Sequence, residues 1–403
     1  MTSNDVILVV NCGSSSVKFA LFTSVGDTPQ RLWSGALERI GLPGASFRAA
    51  SQDGGVLFDE PHHMPSHITA LDLLLTKIEA LVPGDRIQAV GHRVVHGGDD
   101  CDCPMVVTDA LEARLRKLVP LAPLHLPHNL AGIAAVRARR PDLLQVACFD
   151  TAFHQALPRL ARLTGLPRRF EAEGIRRYGF HGLSYEYVID AVRQRHGNDA
   201  ANGRIIVAHL GNGASMAAIK DGHSVETTMG FSTLAGLPMG TRSGDIDPGI
   251  VLYLLMARDM RARQVQDLLY EQSGLLGLSG RSRNMQELLA DTDTEPAAAE
   301  AVDFFCYQAR KHLAALSATT GGLDRLIFTG GIGANAPEIR ARICAGLAYL
   351  GIQLDKDLNA AGERIISSRD GGVVVEAIPT DEELMIARHV HHAAADQPVA
   401  QEA

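Results

Sequence analysis

Two arginines stand among glycines in this chain, Arg93 in GHRVVHGG and Arg242 in MGTRSGDIDPG. A guanidinium is a planar fork that matches carboxylate and phosphate oxygens. Each arginine also has an ordinary explanation, an ion pair with a nearby acid, such as Asp245 or Asp247 for Arg242. Histidines recur in similar settings: His125 and His128 in PLHLPHN, His154 in FDTAFH and His181 in YGFHGLS. No HExxH motif or His–Cys spacing suggests zinc, and these side chains suit donation to a phosphoryl group. Asp150 follows the apolar run 143–149, where kinases place a carboxylate near metal and nucleophile. In PTDEELMIA, Glu382 and Glu383 are either further Mg²⁺ ligands or ordinary first-turn helix acids.

Three glycine-containing loops supply backbone donors. VNCGSSSVKF joins two apolar runs, 6–10 and 17–22, as a β-hairpin turn whose amides and hydroxyls face an anion. It is not a Walker A loop, because the second glycine and the GK[ST] order are missing. HLGNGAS forms a second turn, between strands over 205–210 and 215–220. In FTGGIGANAPEIR, a buried strand ends in a glycine loop, and a helix begins near Asn335 with Pro337 in its first turn. Three such loops point to nucleotide binding.

The elements that must position these residues alternate between strands and helices. Helices are expected at 68–81, 109–118, 130–138, 250–260 and 298–317, and strands at 87–95, 143–149 and 325–329. VVNCGSSSVKFAL overlays VAHLGNGASMAAI with Gly13 on Gly211, which suggests a duplicated domain. At 403 residues, two domains are expected. A net charge of −8 argues against nucleic acid or anionic lipid as partner. No apolar run is long enough to span a membrane, and the polar start 1–5 does not resemble a secretory signal. Six cysteines without a CxxC pair, Cys101 and Cys103 among them, fit a reduced, cytoplasmic protein. The stretch 393–403 reads as a frayed tail.

Taken together, NCGSSSVK, HLGNGAS, YGFHGLS, MGTRSGDIDP, TGGIGANAPEIR and TDEELMIA resemble the acetate kinase family, in order and along nearly the whole chain. Propionate and butyrate kinases share much of the pattern. The resemblance implies an α/β, duplicated ribonuclease-H-like fold of the actin, sugar kinase and heat-shock chaperone superfamily, with a nucleotide cleft between its domains. It suggests an N-terminal domain over 1–150, completed by a C-terminal helix at about 385–403, and a nucleotide-binding domain over 151–384. It implies reversible, direct in-line transfer of the ATP γ-phosphoryl group to acetate, giving acetyl phosphate and ADP. Mg²⁺, or Mn²⁺, would be the metal and a homodimer the assembly. A catalytically idle nucleotide-binding module, like actin in fold, is the reading from another class.

Residue by residue, the resemblance puts Asn11 and Glu382 at the metal and Lys18 at the nucleotide phosphates. Arg93 and Arg242 would hold the carboxylate and the transferring phosphoryl group, Asp150 would be the essential acid, and His181 would donate to phosphoryl oxygens. Val95, Leu124, His125, Phe180 and Thr233 match the substrate wall. His209, Leu210, Gly211, Asn212 and Gly213 match one nucleotide segment. Gly331, Ile332, Gly333, Ala334 and Asn335 match another, and Asn284, Met285 and Gln286 a third. Three positions depart from the family. Asn284 and Gln286 replace an acid and an arginine beside the base, Ala334 replaces a glutamate, and Thr233 replaces a proline of the acyl wall. The first two bear on nucleotide preference and the third on acyl preference.

Overall fold

A computed structural model describes residues 5–24, 28–82 and 86–395; the tail expected at 393–403 lies outside them from 396 onward. The chain divides into two compact units, 1–153 with 381–403, and 154–380.

The first unit is built on an eight-stranded sheet: β1 (Val6–Cys12), β2 (Ser16–Thr23), β3 (Arg31–Glu38), β4 (Ser46–Ser51), β5 (Val56–Pro61), β6 (Ile87–Val94), β7 (Met105–Val106) and β8 (Leu144–Phe149). Their order is β5-β4-β3-β2-β1-β6-β8-β7. The continuous apolar run of β1 explains its central place, because a strand covered on both faces need not alternate. It pairs antiparallel with β2 and parallel with β6, which in turn pairs parallel with β8. Parallel strands need crossovers, and the helices His67–Leu81, Asp109–Lys117 and Leu126–Arg139 lie in the two connections.

The second unit repeats this plan with β9 (Ile205–Leu210), β10 (Ala214–Lys220), β11 (His223–Thr227), β12 (Arg325–Thr329) and β13 (Val374–Ala377). Their order is β11-β10-β9-β12-β13, with β9 antiparallel to β10 and parallel to β12. The core β3-β2-β1-β6-β8 of the first sheet has the same order and directions, so the fold is the duplicated ribonuclease-H-like one. Both hairpins close on a glycine: Gly13 N–H donates to Ser16 O (2.8 Å) and Gly211 N–H to Gly213 O (3.0 Å). Among the described residues, no helix is long and apolar enough to cross a membrane.

Two segments differ from expectation. The strands β3–β5 extend the first sheet beyond the repeated core, and their half-buried sequences carry little alternation. The segment Gly330–Asn335, expected as a loop, is itself a short helix that precedes a second helix, Pro337–Cys344. Gly330 has φ +75°, and its absent side chain leaves room for the Leu210 backbone, where a Cβ would lie 2.6 Å from the Leu210 carbonyl oxygen.

The helix Glu382–Ala395 returns to the first unit and packs on β6. A Cβ on Gly91 would lie 2.5 Å from Ile386 Cγ2 and 2.7 Å from Val390 Cγ2. Both neighbours are β-branched and stiff, so they cannot swing aside. Gly91→Ala should therefore lower the unfolding free energy by about 1–3 kcal/mol, read as a lower urea midpoint at unchanged slope. An unchanged midpoint would mean that the C-terminal helix is not seated on β6.

Candidate active site

In the first unit the reactive residues gather where the parallel strands end. Arg93 is paired in register with Cys148, so the C-terminal ends of β6 and β8 emerge together. This brings Arg93 against Asp150, with Nε donating to Oδ1 at 2.9 Å and Nη2 donating to Oδ2 at 2.7 Å. The Asp150 side chain is 1% exposed, whereas that of Arg93 is 24% exposed. Glu382, at the start of the returning helix, places Oε2 3.6 Å from Arg93 Nε. Burial alone would lower the Arg93 pKa, but the charges of Asp150 and Glu382 more than offset this and hold it above the ordinary arginine value. The ion-pair explanation of Arg93 thus holds, with Asp150 as partner. Arg93 Nη1 makes no hydrogen bond among the described residues and remains available to an anion.

Asn11 and Lys18 are cross-strand partners at the β1–β2 turn. The turn is held from below. His67 Nε2 meets Gly13 O at 2.6 Å, and Asn129 Nδ2 donates to Cys12 O at 2.9 Å. Asn129 Oδ1 also accepts from Val95 N–H at 3.1 Å, which ties the ends of β1 and β6 together. Val95 is buried, Leu124 is half-buried, and His125 is the residue just before the helix Leu126–Arg139. The two acids of PTDEELMIA part company. Glu382 faces Arg93, whereas Glu383 is paired with Arg31 at 2.5 Å.

In the second unit, His181 stands just before the helix that starts at Gly182, in the left-handed region at φ 59°, ψ 24°. For a non-glycine residue this costs about 1–2 kcal/mol, and such strain concentrates at functional sites. His181 stacks on His209 with ring centroids 4.3 Å apart and planes at 21°. His181 Nδ1 lies 2.8 Å from Ser215 Oγ, which also bonds the Tyr185 hydroxyl, and His209 Nδ1 lies 2.8 Å from Ser184 Oγ. A Cβ on Gly213 would sit 3.3 Å from His181 Nε2 and 3.9 Å from Arg242 Nη1, so this glycine leaves space in front of both. Arg242 Nη1 donates to the backbone oxygen of Thr233 at 3.1 Å. Its two neighbouring acids serve other groups: Asp245 Oδ1 accepts from Gly236 N–H and Asp247 Oδ1 from Gly249 N–H. Phe180 is buried beneath this cluster, with its carbonyl facing His154 Nε2.

Beside these residues lies a pocket of about 630 Å³. Its lining includes Asn212, Asn284, Met285, Gln286, Gly331 and Asn335. Its size suits a nucleoside. Asn284 is spent locally, however: its Oδ1 accepts from Gln286 N–H at 2.9 Å and caps the helix Met285–Asp291. Gln286 is exposed and points no such bond inward. Arg340, fully buried, donates to the carbonyls of Gly333 and Ala334 and to Asn359, and so fixes the end of the Gly330–Asn335 helix. Sequence reading missed Arg340, Asn129, Ser215 and Tyr185. Only the one-turn spacing from His181 to Tyr185 signalled any of them.

Among the described residues, no three His, Cys, Asp or Glu side chains cluster as metal ligands. Glu382, beside the Arg93 that grips Asp150, and Asn11, near the end of β1, are hard oxygen donors. Such a sparse set suits Mg²⁺, which keeps waters and takes substrate phosphates as ligands.

The model of the acetokinase family matches residues 6–388. The chain belongs to this family. It is 49% identical to the acetate kinase of Rhodopseudomonas palustris strain TIE-1 over 96% of this chain and 98% of that one. The acetate kinase of Methylocella silvestris is 46% identical, over 95% and 96%. Among solved structures, Porphyromonas gingivalis acetate kinase superposes with a TM-score of 0.88 at 37% identity, covering 97% of this chain and all of that one. A propionate kinase from Francisella tularensis subsp. tularensis gives 0.90 at 36%, covering 96% and 99%.

His154 is buried behind Phe180. Its Nε2 donates to Phe180 O at 3.0 Å, and its Nδ1 accepts from Ser224 Oγ at 2.8 Å. Burial pushes its pKa down to about 4. Below the ordinary histidine value of about 6.5, the unfolded chain therefore binds a proton that the folded chain refuses. Stability should fall as pH drops from about 6.5 to 4, by up to about 3 kcal/mol from this residue. Urea unfolding of His154→Asn across this range should show a shallower pH slope than the unsubstituted chain. Equal slopes would mean that His154 is not held neutral.

Proposed function

We propose that this chain is an ATP- and Mg²⁺-dependent acetate kinase, interconverting acetate and ATP with acetyl phosphate and ADP. The observation that carries the reading is the Arg93–Asp150 fork in a chain of this family. Acetate is already a nucleophile at neutral pH, so the enzyme needs no strong base. It needs positive charge and donors that bring two anions together in line. Asp150, gripped by Arg93, stays ionised and orients phosphoryl group, water or metal rather than removing a proton. Arg93 Nη1 and Arg242 hold the carboxylate and the transferring phosphoryl group, and His181 donates to its oxygens. Glu382 and Asn11 would hold Mg²⁺, which supplies neutralising charge to the nucleotide phosphates when bound. Lys18 joins the phosphates, and the Asn212–Gln286–Gly331 pocket takes the nucleoside. The helix Pro248–Met256 buries none of its residues and exposes Ile250, Leu252, Tyr253 and Met256. A second copy covering this apolar surface accounts for it, making a homodimer.

Purified protein with MgATP should form hydroxamate-trappable acyl phosphate from acetate. Asp150→Asn should lose most of kcat, and Arg242→Ala should damage both kcat and the acetate KM. Thr233 in the acyl wall favours a second reading, a propionate or butyrate kinase. A higher kcat/KM for either longer acid than for acetate would select it. Nucleotide binding without acyl phosphate from any short acid would sink both readings.

The pocket lining also bears on the base. With Asn284 committed to a helix cap and Gln286 able to donate or accept, neither offers a fixed hydrogen-bond polarity to adenine. An exposed base hydrogen bond contributes only about 0.5–1.5 kcal/mol. GTP and ITP should therefore support acetyl phosphate formation at an appreciable fraction of the ATP kcat/KM. Asn284→Asp with Gln286→Arg should sharpen the choice of ATP. Rejection of GTP by several orders of magnitude in the unsubstituted enzyme would rule out this account of base choice.

A further inference from the structure

Three acids follow one another where the returning helix begins, Asp381, Glu382 and Glu383, and two arginines reach them. Arg31 lies on β3 and Arg93 on β6, with β2 and β1 standing between these strands. Three strand spacings, about 14 Å, therefore separate the two. The helix packs over β1 and β2 as well as β6, so its first residues have a guanidinium on either side. Arg31 Nη2 donates to Asp381 Oδ1 and Nη1 to Glu383 Oε2, each at 2.5 Å. Glu382 goes the other way, with Oε2 3.6 Å from Arg93 Nε.

Arg31 is itself held in place. It stands opposite Phe22 in the β2–β3 register, and its guanidinium lies over the Phe22 ring, 4.9 Å from the centroid. Phe22 is fully buried, so the flat face of the fork is fixed while its edge meets two carboxylates. Asp381 is fixed in turn, because the oxygen that accepts from Arg31 also accepts from Leu384 N–H at 2.9 Å. All three side chains of this clamp are largely covered, which leaves the pairs less screened than surface ones. Three consecutive carboxylates repel one another. Without Arg31 all three would compete for Arg93, and Glu382 would lose its defined direction.

We propose that Arg31 is a positioning residue for the reaction: by taking Asp381 and Glu383, it leaves Glu382 directed at Arg93 and at the proposed metal. The inference rests on the reading of Glu382 as a metal ligand in an acetate-phosphorylating site. Its test reads metal binding directly, by electron paramagnetic resonance of Mn²⁺ titrated into the protein with ADP. Glu382→Gln sets the scale by weakening Mn²⁺ binding. Arg31→Met and Arg31→Gln both remove the charge, and whichever folds should weaken Mn²⁺ binding about tenfold, with the acetate KM within about twofold. Arg31→Lys keeps the charge without the fork and should recover part of the loss. Val390→Ala loosens the same helix away from its start, and should lower the urea midpoint with Mn²⁺ affinity within about twofold. A folded Arg31→Met or Arg31→Gln protein with unchanged Mn²⁺ affinity overturns the proposal. So does a Val390→Ala protein weakened as much as they are, because Arg31 would then act only by seating the helix. Unchanged affinity in Glu382→Gln overturns it together with the metal assignment. If the unsubstituted protein makes no acyl phosphate, the reaction reading fails, while the Mn²⁺ titrations still decide the role of Arg31.

Discussion

The grip of Arg93 on Asp150 is the contact on which the reactive end of the first unit depends. A carboxylate buried to this degree would be very costly in isolation, and here two parallel hydrogen bonds and an opposite charge compensate it. The contact exists because β6 and β8 run parallel and in register, so the residues after them emerge side by side. It also sets the division of labour. The guanidinium is held by two of its nitrogens, and the third makes no hydrogen bond among the described residues. Removing Arg93 would take the countercharge from a carboxylate that is almost fully buried, which is far more damaging than losing a surface pair.

The second unit has the same strand plan but fills it differently. Where the first unit sets full charges against one another, the second surrounds His181 and His209 with glycines and buried hydroxyls. Backbone shape does much of the positioning there. Gly213 keeps the space before His181 Nε2 open, and Gly240 lets Asn212 approach, since a Cβ on Gly240 would lie 2.3 Å from Asn212 Oδ1. Arg340 performs the corresponding task for the Gly330–Asn335 helix with a charge turned entirely toward carbonyls. Duplication of the fold therefore did not duplicate the chemistry. Each unit offers a glycine turn at the same topological point and surrounds it with different side chains.

Much of this arrangement was legible in the sequence, for physical reasons. The central strands β1 and β9 are unbroken apolar runs that end in glycine turns, and such runs have few alternative homes. The overlay of Gly13 on Gly211 reflects two hairpins of the same order and direction. The strands β3–β5 were not legible, because half-buried strands near a sheet edge show neither a continuous run nor clean alternation. The GGIGAN segment reads as a loop by composition, yet Gly330 turns the backbone so that the following residues close a helical turn. Partnerships across long stretches of chain were hidden altogether. Nothing local to Arg93 announces Asp150, and nothing in Ser215 announces His181. Single residues could be assigned to a site, but the bonds that orient them depend on how distant segments meet.

The returning helix Glu382–Ala395 has a consequence for how the protein comes into being. It covers β6 through Ile386 and Val390, is anchored by Arg31 at Asp381 and Glu383, and carries the carboxylate beside Arg93. The ribosome makes these residues after the entire second unit. The sheet of the first unit therefore waits, with the β6 face uncovered, while 154–380 are synthesised and can fold. A nascent chain that stalls in the second unit after β10 has both hairpins and the Arg93–Asp150 segment but lacks Glu382. The sheet of the first unit is thus finished by a helix made after the second unit, and arrest before that helix leaves a half-covered sheet for chaperones to bind rather than a smaller enzyme.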